Sequence, residues 1–152
     1  MAEAVKPILL VEDNPDHAEI TMDAIKNSNV VNPVVWVEDG ESGLDYLYRR
    51  GKYADRTDPD PALVLLDIKL PGIDGLEVLA KIREDDRFVA LPVVMLTTSS
   101  QEGEILKAYM SHANSYVVKP MSFKEFYGKV QDLNIYWTIT NTCPEMADKW
   151  RK

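Results

Sequence analysis

Glu12, Asp13, Asp67, Thr97, Thr98 and Lys119 each stand directly behind a short apolar run, and together they could move a phosphoryl group. Glu12 and Asp13 follow Ile8-Leu9-Leu10-Val11, and Asp67 follows Leu63-Val64-Leu65-Leu66. Thr97, Thr98 and Ser99 follow Val93-Val94-Met95-Leu96, and Lys119-Pro120 follows Tyr116-Val117-Val118. Carboxylates brought close together repel one another and resist full ionisation unless a cation sits among them. Their hard oxygens suit Mg²⁺, which keeps several waters and pairs readily with phosphate oxygens. Lys119 and the Thr97 hydroxyl can hold two oxygens of a transferring phosphoryl group while the metal holds another. A carboxylate can serve as nucleophile and form an aspartyl-phosphate. Asp67 is the best candidate, because it ends a central strand between the acidic pair and the lysine.

The elements that must position these residues are legible from periodicity. The four apolar runs do not alternate with polar residues, so each reads as a strand buried on both faces. A fifth strand is expected at Val34–Val37, opened by Pro33 and closed by Glu38-Asp39-Gly40. Between the runs the period becomes helical. Ala18, Met22 and Ile25 share one face behind Asn14-Pro15, a capping residue followed by proline at the first helical position. Leu44, Leu47 and Tyr48 mark a second helix that ends near Gly51, and Leu76, Leu79 and Ile82 a third. Ile105, Leu106, Tyr109 and Met110 mark a fourth, and Phe123, Phe126, Tyr127, Val130 and Leu133 a fifth. Strict alternation of strand and helix implies an α/β fold with a parallel sheet covered on both faces. Residues 52–61, with their aspartates and prolines, are expected to form an exposed loop.

In such a sheet, ligands bind outside the carboxyl ends of the strands. That rule gathers residues far apart in sequence at one rim. Singly, each has an ordinary structural role. Glu12-Asp13 would be a solvated turn, Asp67 the prelude to the Pro71-Gly72 turn, Thr97-Thr98-Ser99 a helix cap and Lys119 a surface cation. Their coincidence at one rim, in strand order, is what points to chemistry.

Bulk properties narrow the function classes. The 152 residues suit one domain, and 45% hydrophobic with 28% charged residues is ordinary for a globular protein. A formal charge of −8, from 25 acidic and 17 basic side chains, argues against nucleic-acid binding. No apolar run is long enough to cross a bilayer, residues 1–6 lack a signal-peptide pattern, and a lone Cys143 fits a reducing compartment. A cytoplasmic protein with no membrane partner is the expectation.

The segments Ile8-Leu9-Leu10-Val11-Glu12-Asp13-Asn14, Leu65-Leu66-Asp67-Ile68-Lys69-Leu70-Pro71-Gly72-Ile73-Asp74-Gly75, Leu96-Thr97-Thr98-Ser99 and Tyr116-Val117-Val118-Lys119-Pro120 resemble the receiver domains of two-component response regulators. The resemblance extends over residues 8 to about 133. It implies a flavodoxin-like, doubly wound (βα)5 sandwich with a five-stranded parallel sheet of order 2-1-3-4-5. It also implies that Asp67 is the phosphoacceptor. Asp13, Asp67 and the Lys69 backbone carbonyl would bind Mg²⁺ directly, and Glu12 would act through water; Glu here replaces the more frequent Asp and keeps the charge. Thr97, Thr98 and Lys119 would contact the phosphoryl group, and the Lys119-Pro120 peptide would be cis. Thr97 and Tyr116 would form a switch in which the hydroxyl moves toward the new charge and the tyrosine turns inward. The surface of helix four, strand five and helix five would then change shape for a partner. Lys69, two residues past Asp67, would tune phosphoryl lifetime.

Within that family, residues 52–61, Leu96-Thr97-Thr98-Ser99 and the tail resemble the small regulators paired with phytochrome-type histidine kinases. The expected organisation is a single receiver domain over residues 1–152, with a core of about 7–134, an extension over 135–152 and no output domain. The implied partners are a sensor histidine kinase, a downstream target or phosphotransfer protein, and a second copy through helices four and five. Trp137 and Trp150 would cover helix five or extend that dimer. His17 and His112 read as ordinary helix-surface residues, with too few companions for a zinc site.

Other functions fit less well. A haloacid-dehalogenase-type phosphatase would want a second Asp two positions after the nucleophile, where this chain has Lys69. A nucleotide or flavin binder would need a glycine-rich loop after strand one, where Glu12-Asp13-Asn14-Pro15-Asp16 would repel phosphate. A receiver working only as a phosphorylation-independent scaffold would have no need of the acidic, threonine and lysine positions. The protein is therefore expected to be a signalling phosphoacceptor and not an enzyme acting on outside substrates.

Overall fold

The computed structural model describes residues 5–28, 31–120 and 122–135. The chain alternates β1 (Ile8–Val11), α1 (Pro15–Lys26), β2 (Val34–Val37), α2 (Gly40–Tyr48), β3 (Leu63–Leu66), α3 (Gly75–Glu84), β4 (Val93–Thr97), α4 (Glu102–Met110), β5 (Ser115–Val118) and α5 (Phe123–Ile135). The strands form one parallel sheet of order β2-β1-β3-β4-β5. This is the flavodoxin-like arrangement. None of the helices among the described residues is long and apolar enough to cross a membrane.

Strand alternation sends successive side chains to opposite faces, which divides the core in two. Leu9, Val11, Val64, Leu66, Val93 and Met95 pack with Leu44, Leu47, Val78, Leu79, Ile82 and Ala108 from α2, α3 and α4. Ile8, Leu10, Leu63, Leu65, Val94 and Leu96 pack with Ala18, Ala24, Ile25, Phe126 and Val130 from α1 and α5. β1, β3 and β4 are buried throughout, as expected of central strands. β5 is only half-buried, because among the described strands it lies at the sheet edge with a neighbour on one side.

α1 begins as its sequence predicts: Asn14 Oδ1 accepts from the Asp16 and His17 amides at 2.9 and 3.2 Å, with Pro15 in the first turn. Met22 is only partly buried, and Thr21 joins the buried face because its hydroxyl donates to the His17 carbonyl at 2.7 Å. α4 departs from its expected apolar face. Ala108 is its buried residue, and Leu106, Tyr109 and Met110 are 60%, 48% and 71% exposed. A small residue meets the sheet there, and the larger ones face outward.

The segment 52–61 is on the surface but is not a free loop. The Arg56 guanidinium, with a side chain only 3% exposed, donates to the carbonyls of Tyr46, Asp58 and Pro59 and to Asp60 Oδ1. It also lies 4.2 Å from the Tyr46 ring centroid. Arg49, held at φ 55°, adds bonds to the carbonyls of Arg56 and Asp58. A buried cation that satisfies so many carbonyls fixes a segment otherwise poor in regular structure.

Candidate phosphoryl-accepting site

The sheet's hydrogen bonding runs past the strand ends and fixes the backbone of the site residues. The Glu12 amide donates to the Val37 carbonyl at 3.1 Å, that of Asp67 to Val11 at 3.2 Å and that of Lys119 to Thr97 at 2.7 Å. β1, β3 and β5 therefore deliver Glu12, Asp67 and Lys119 to one rim, where all three are buried. Trp36 Nε1 donates to the Glu12 carbonyl at 2.8 Å and braces it from β2.

Behind Asp67, the chain turns sharply into α3. Gly72 adopts φ 74°, the left-handed region that glycine enters without strain. The Gly75 amide donates to the Ile68 carbonyl at 2.8 Å, and a Cβ at Gly75 would lie 2.0 Å from the Asp67 carbonyl oxygen. Only glycine permits this approach.

Carboxylate oxygens of Glu12, Asp13 and Asp67 lie within 4.8 Å of one another. Asp13 is exposed while Glu12 and Asp67 are buried, so the cluster has one open side. This is a hard-oxygen donor set with solvent access, and it fits a divalent cation that retains waters. Lys119 Nζ sits between two of the carboxylates, in close contact with Glu12 Oε1 and 3.1 Å from Asp67 Oδ2. One ammonium against three carboxylates leaves negative charge for a further cation to neutralise. Burial pushes the Glu12 carboxyl up to about 7, against the opposing attraction of Lys119 and with a further upward push from Asp67.

Thr97 ends β4 fully buried, and its Oγ1 accepts from the Ser99 amide at 3.3 Å. Thr98 is exposed beside it. Tyr116 is partly buried, and its hydroxyl donates to the Ser99 carbonyl at 2.9 Å. Ser99 in turn hydrogen-bonds the Glu104 carboxylate of α4. The Lys69 amide lies 3.4 Å from Asp67 Oδ1. Glu12, Asp13, Asp67 and Lys119 thus converge at one rim, and one expectation is corrected: the Lys119-Pro120 peptide is trans, as no cis bond occurs among the described residues. Trans is the lower-energy isomer by about 0.5–1 kcal/mol even before proline, and Lys119 makes all its contacts with that geometry.

Sequence reasoning also missed His17. It is not a plain surface residue: its side chain is 26% exposed, and its Nδ1 lies 3.0 Å from Lys119 Nζ. The available signal was position, since a helix that starts directly behind β1 carries its first turn along the rim. His112 lies just past α4 at φ 67°, in the turn to β5, and its carbonyl accepts from Arg83. Trp137, Cys143 and Trp150 lie outside the described residues.

The model of the response regulator receiver domain matches residues 8–131. The chain belongs to the response regulator receiver domain family. The receiver is 42% identical to the probable methanogenesis regulatory protein FilR2 of Methanothrix harundinacea, over 92% of this chain and 88% of that protein. Among solved structures, it superposes on the phosphorylated cyanobacterial phytochrome response regulator RcpA with a TM-score of 0.88. Identity there is 39%, covering 93% of this receiver and 100% of that chain. The Mn²⁺-bound form of the response regulator Rcp1 matches with a TM-score of 0.86 and 35% identity, over 92% of this receiver and 99% of that chain. Rcp1 comes from Synechocystis.

Proposed function

We propose that this receiver is a signalling switch that takes a phosphoryl group on Asp67 from a sensor histidine kinase in a Mg²⁺-dependent reaction. The observation that carries the reading is the buried Asp67 carboxylate, held 3.1 Å from the Lys119 ammonium and beside the Glu12-Asp13 pair at one open rim. An Asp67 carboxylate oxygen attacks phosphorus, the bond from phosphorus to the donor's imidazole nitrogen breaks, and that nitrogen keeps the electron pair. Bound Mg²⁺ supplies charge neutralisation for the phosphoryl oxygens; Asp13, Asp67 and the Lys69 carbonyl would hold it directly, and Glu12 through water. Lys119, Thr97 and Thr98 bind the remaining phosphoryl oxygens, and Lys69 beside the site sets how long the group persists.

The signal leaves through Thr97 and Tyr116. The Thr97 hydroxyl exchanges its Ser99 amide partner for a phosphoryl oxygen, and Tyr116 gives up the Ser99 carbonyl to turn inward. The α4–β5–α5 face thereby changes, and a target, a phosphotransfer protein or a second copy binds it. Likeness to RcpA supports a phytochrome-type kinase as donor. A cytoplasmic site of action is part of this proposal.

Intact-mass spectrometry after incubation with acetyl phosphate and Mg²⁺ tests the reading. One added phosphoryl group, lost in Asp67→Asn and with a chelator, is the expected result. No added mass together with no Mg²⁺ binding would leave the scaffold function in its place.

A further inference from the structure

We infer that His17 is a positioning residue for Lys119, accepting a hydrogen of its ammonium on Nδ1 and so aiming the other two at Glu12 and Asp67. The inference rests on the role proposed above for Asp67 and Lys119. An ammonium carries three donors and no acceptor. Among the described residues, Lys119 Nζ has three hydrogen-bond partners: the Glu12 carboxylate, Asp67 Oδ2 at 3.1 Å and His17 Nδ1 at 3.0 Å. Because the ammonium can only donate, Nδ1 must be the bare nitrogen, and the imidazole proton sits on Nε2.

The surroundings favour that form. Burial and the neighbouring Lys119 charge both lower the pKa of the ring, against weaker opposing pulls from Asp67, Asp16 and Asp13. His17 Nδ1 lies 4.0 Å from Glu12 Oε1, beyond hydrogen-bond reach. The ring stands edge-on to the buried Phe126, with centroids 5.8 Å apart at 72°. The Asn14 cap fixes the start of the helix that carries it.

A neutral third acceptor suits the proposed reaction better than another carboxylate. When Asp67 is phosphorylated, Lys119 must pass one hydrogen to a phosphoryl oxygen, while Glu12 alone would draw it toward the acidic pair. An imidazole anchor orients the ammonium without adding negative charge that would compete with the incoming group.

The test compares His17→Met, which keeps bulk against Phe126 but lacks a strong acceptor, with His17→Gln, whose amide oxygen can accept. Acetyl phosphate-driven uptake should fall about five- to tenfold in His17→Met, the scale of one ordinary, partly solvated hydrogen bond. His17→Gln should restore most of the rate, with Mg²⁺ affinity and melting temperature kept in both. In the wild-type chain at pH 8, two-bond ¹H–¹⁵N spectra should show the Nε2–H tautomer. Wild-type uptake by His17→Met, a parallel loss of Mg²⁺ affinity, or an Nδ1–H tautomer would each overturn the inference. A wild-type chain that takes up no phosphoryl group would instead count against the role of Asp67, and the tautomer would still decide the His17 contact.

Discussion

The corner from β3 into α3 and the corner from β4 into α4 leave the same rim of the sheet, yet they are built differently. At the first, the Ile68 carbonyl accepts from both Leu70 and Gly75, Asp74 caps the helix by accepting from the Glu77 amide, and Gly75, Val78, Leu79 and Ile82 are buried. At the second, Gln101 provides no side-chain cap, and Ala108 is the buried residue of α4. The nucleophile candidate thus sits on an over-determined backbone, while the proposed responding helix is held by a small contact area and by Ser99. A fixed corner preserves geometry for chemistry; a lightly held one can be repositioned by a change of a few kcal/mol in local interactions.

Removing core volume from the fixed corner should have the largest effect on that contrast. Leu79→Ala, at a fully buried position, should cost about 2–5 kcal/mol in urea unfolding. A cost below that range would mean that α3 is no better anchored than α4. Gly75→Ala should cost about 1–3 kcal/mol, because its Cβ must displace the Asp67 backbone. It should also weaken Mg²⁺ binding, measured by Trp36 fluorescence, since the metal-facing carboxylate moves with that peptide.

A smaller effect concerns the charge at the rim. The Glu12 carboxyl is raised from 4.5 to about 7 in the fold, so its contribution to metal-free stability is fully present below about pH 4.5 and is lost as pH rises through about 7. A bound cation favours the carboxylate, so the sign reverses for binding. Mg²⁺ affinity should rise about tenfold from pH 6 to pH 8. A flat profile would show that Glu12 is already ionised by its contact with Lys119. The smallest effect belongs to the loose corner: Leu106→Ala should change stability by less than about 0.5 kcal/mol. It should nonetheless weaken association of the phosphorylated form with whatever covers α4, as read by analytical ultracentrifugation or target pull-down.

The legibility of the fold followed the same division. Ile8–Val11, Leu63–Leu66 and Val93–Leu96 read as buried strands because their neighbours on both sides demand apolar side chains throughout. Tyr116 and Val117 read the same way, but their edge position leaves them half-buried, which a run of three apolar residues does not encode. Apolar spacing located α4 without showing that Leu106, Tyr109 and Met110 face outward, since periodicity marks a stripe and not what covers it. The pinned Arg56 segment was illegible because its partners are mainly backbone carbonyls, which every sequence possesses.

The sequence by itself determined the alternating elements, the Asn14 cap, the parallel sheet and the residue types at each strand end, because these follow from side-chain periodicity and local backbone preference. The tertiary structure alone decided that the Lys119 ammonium lies between Glu12 and Asp67, that Lys119-Pro120 stays trans and that His17 turns onto the lysine. Residues 102 and 107 positions apart meet only when β5 docks beside β4 and α1 packs against α5. Such contacts depend on how whole elements pack, and no local pattern carries that information.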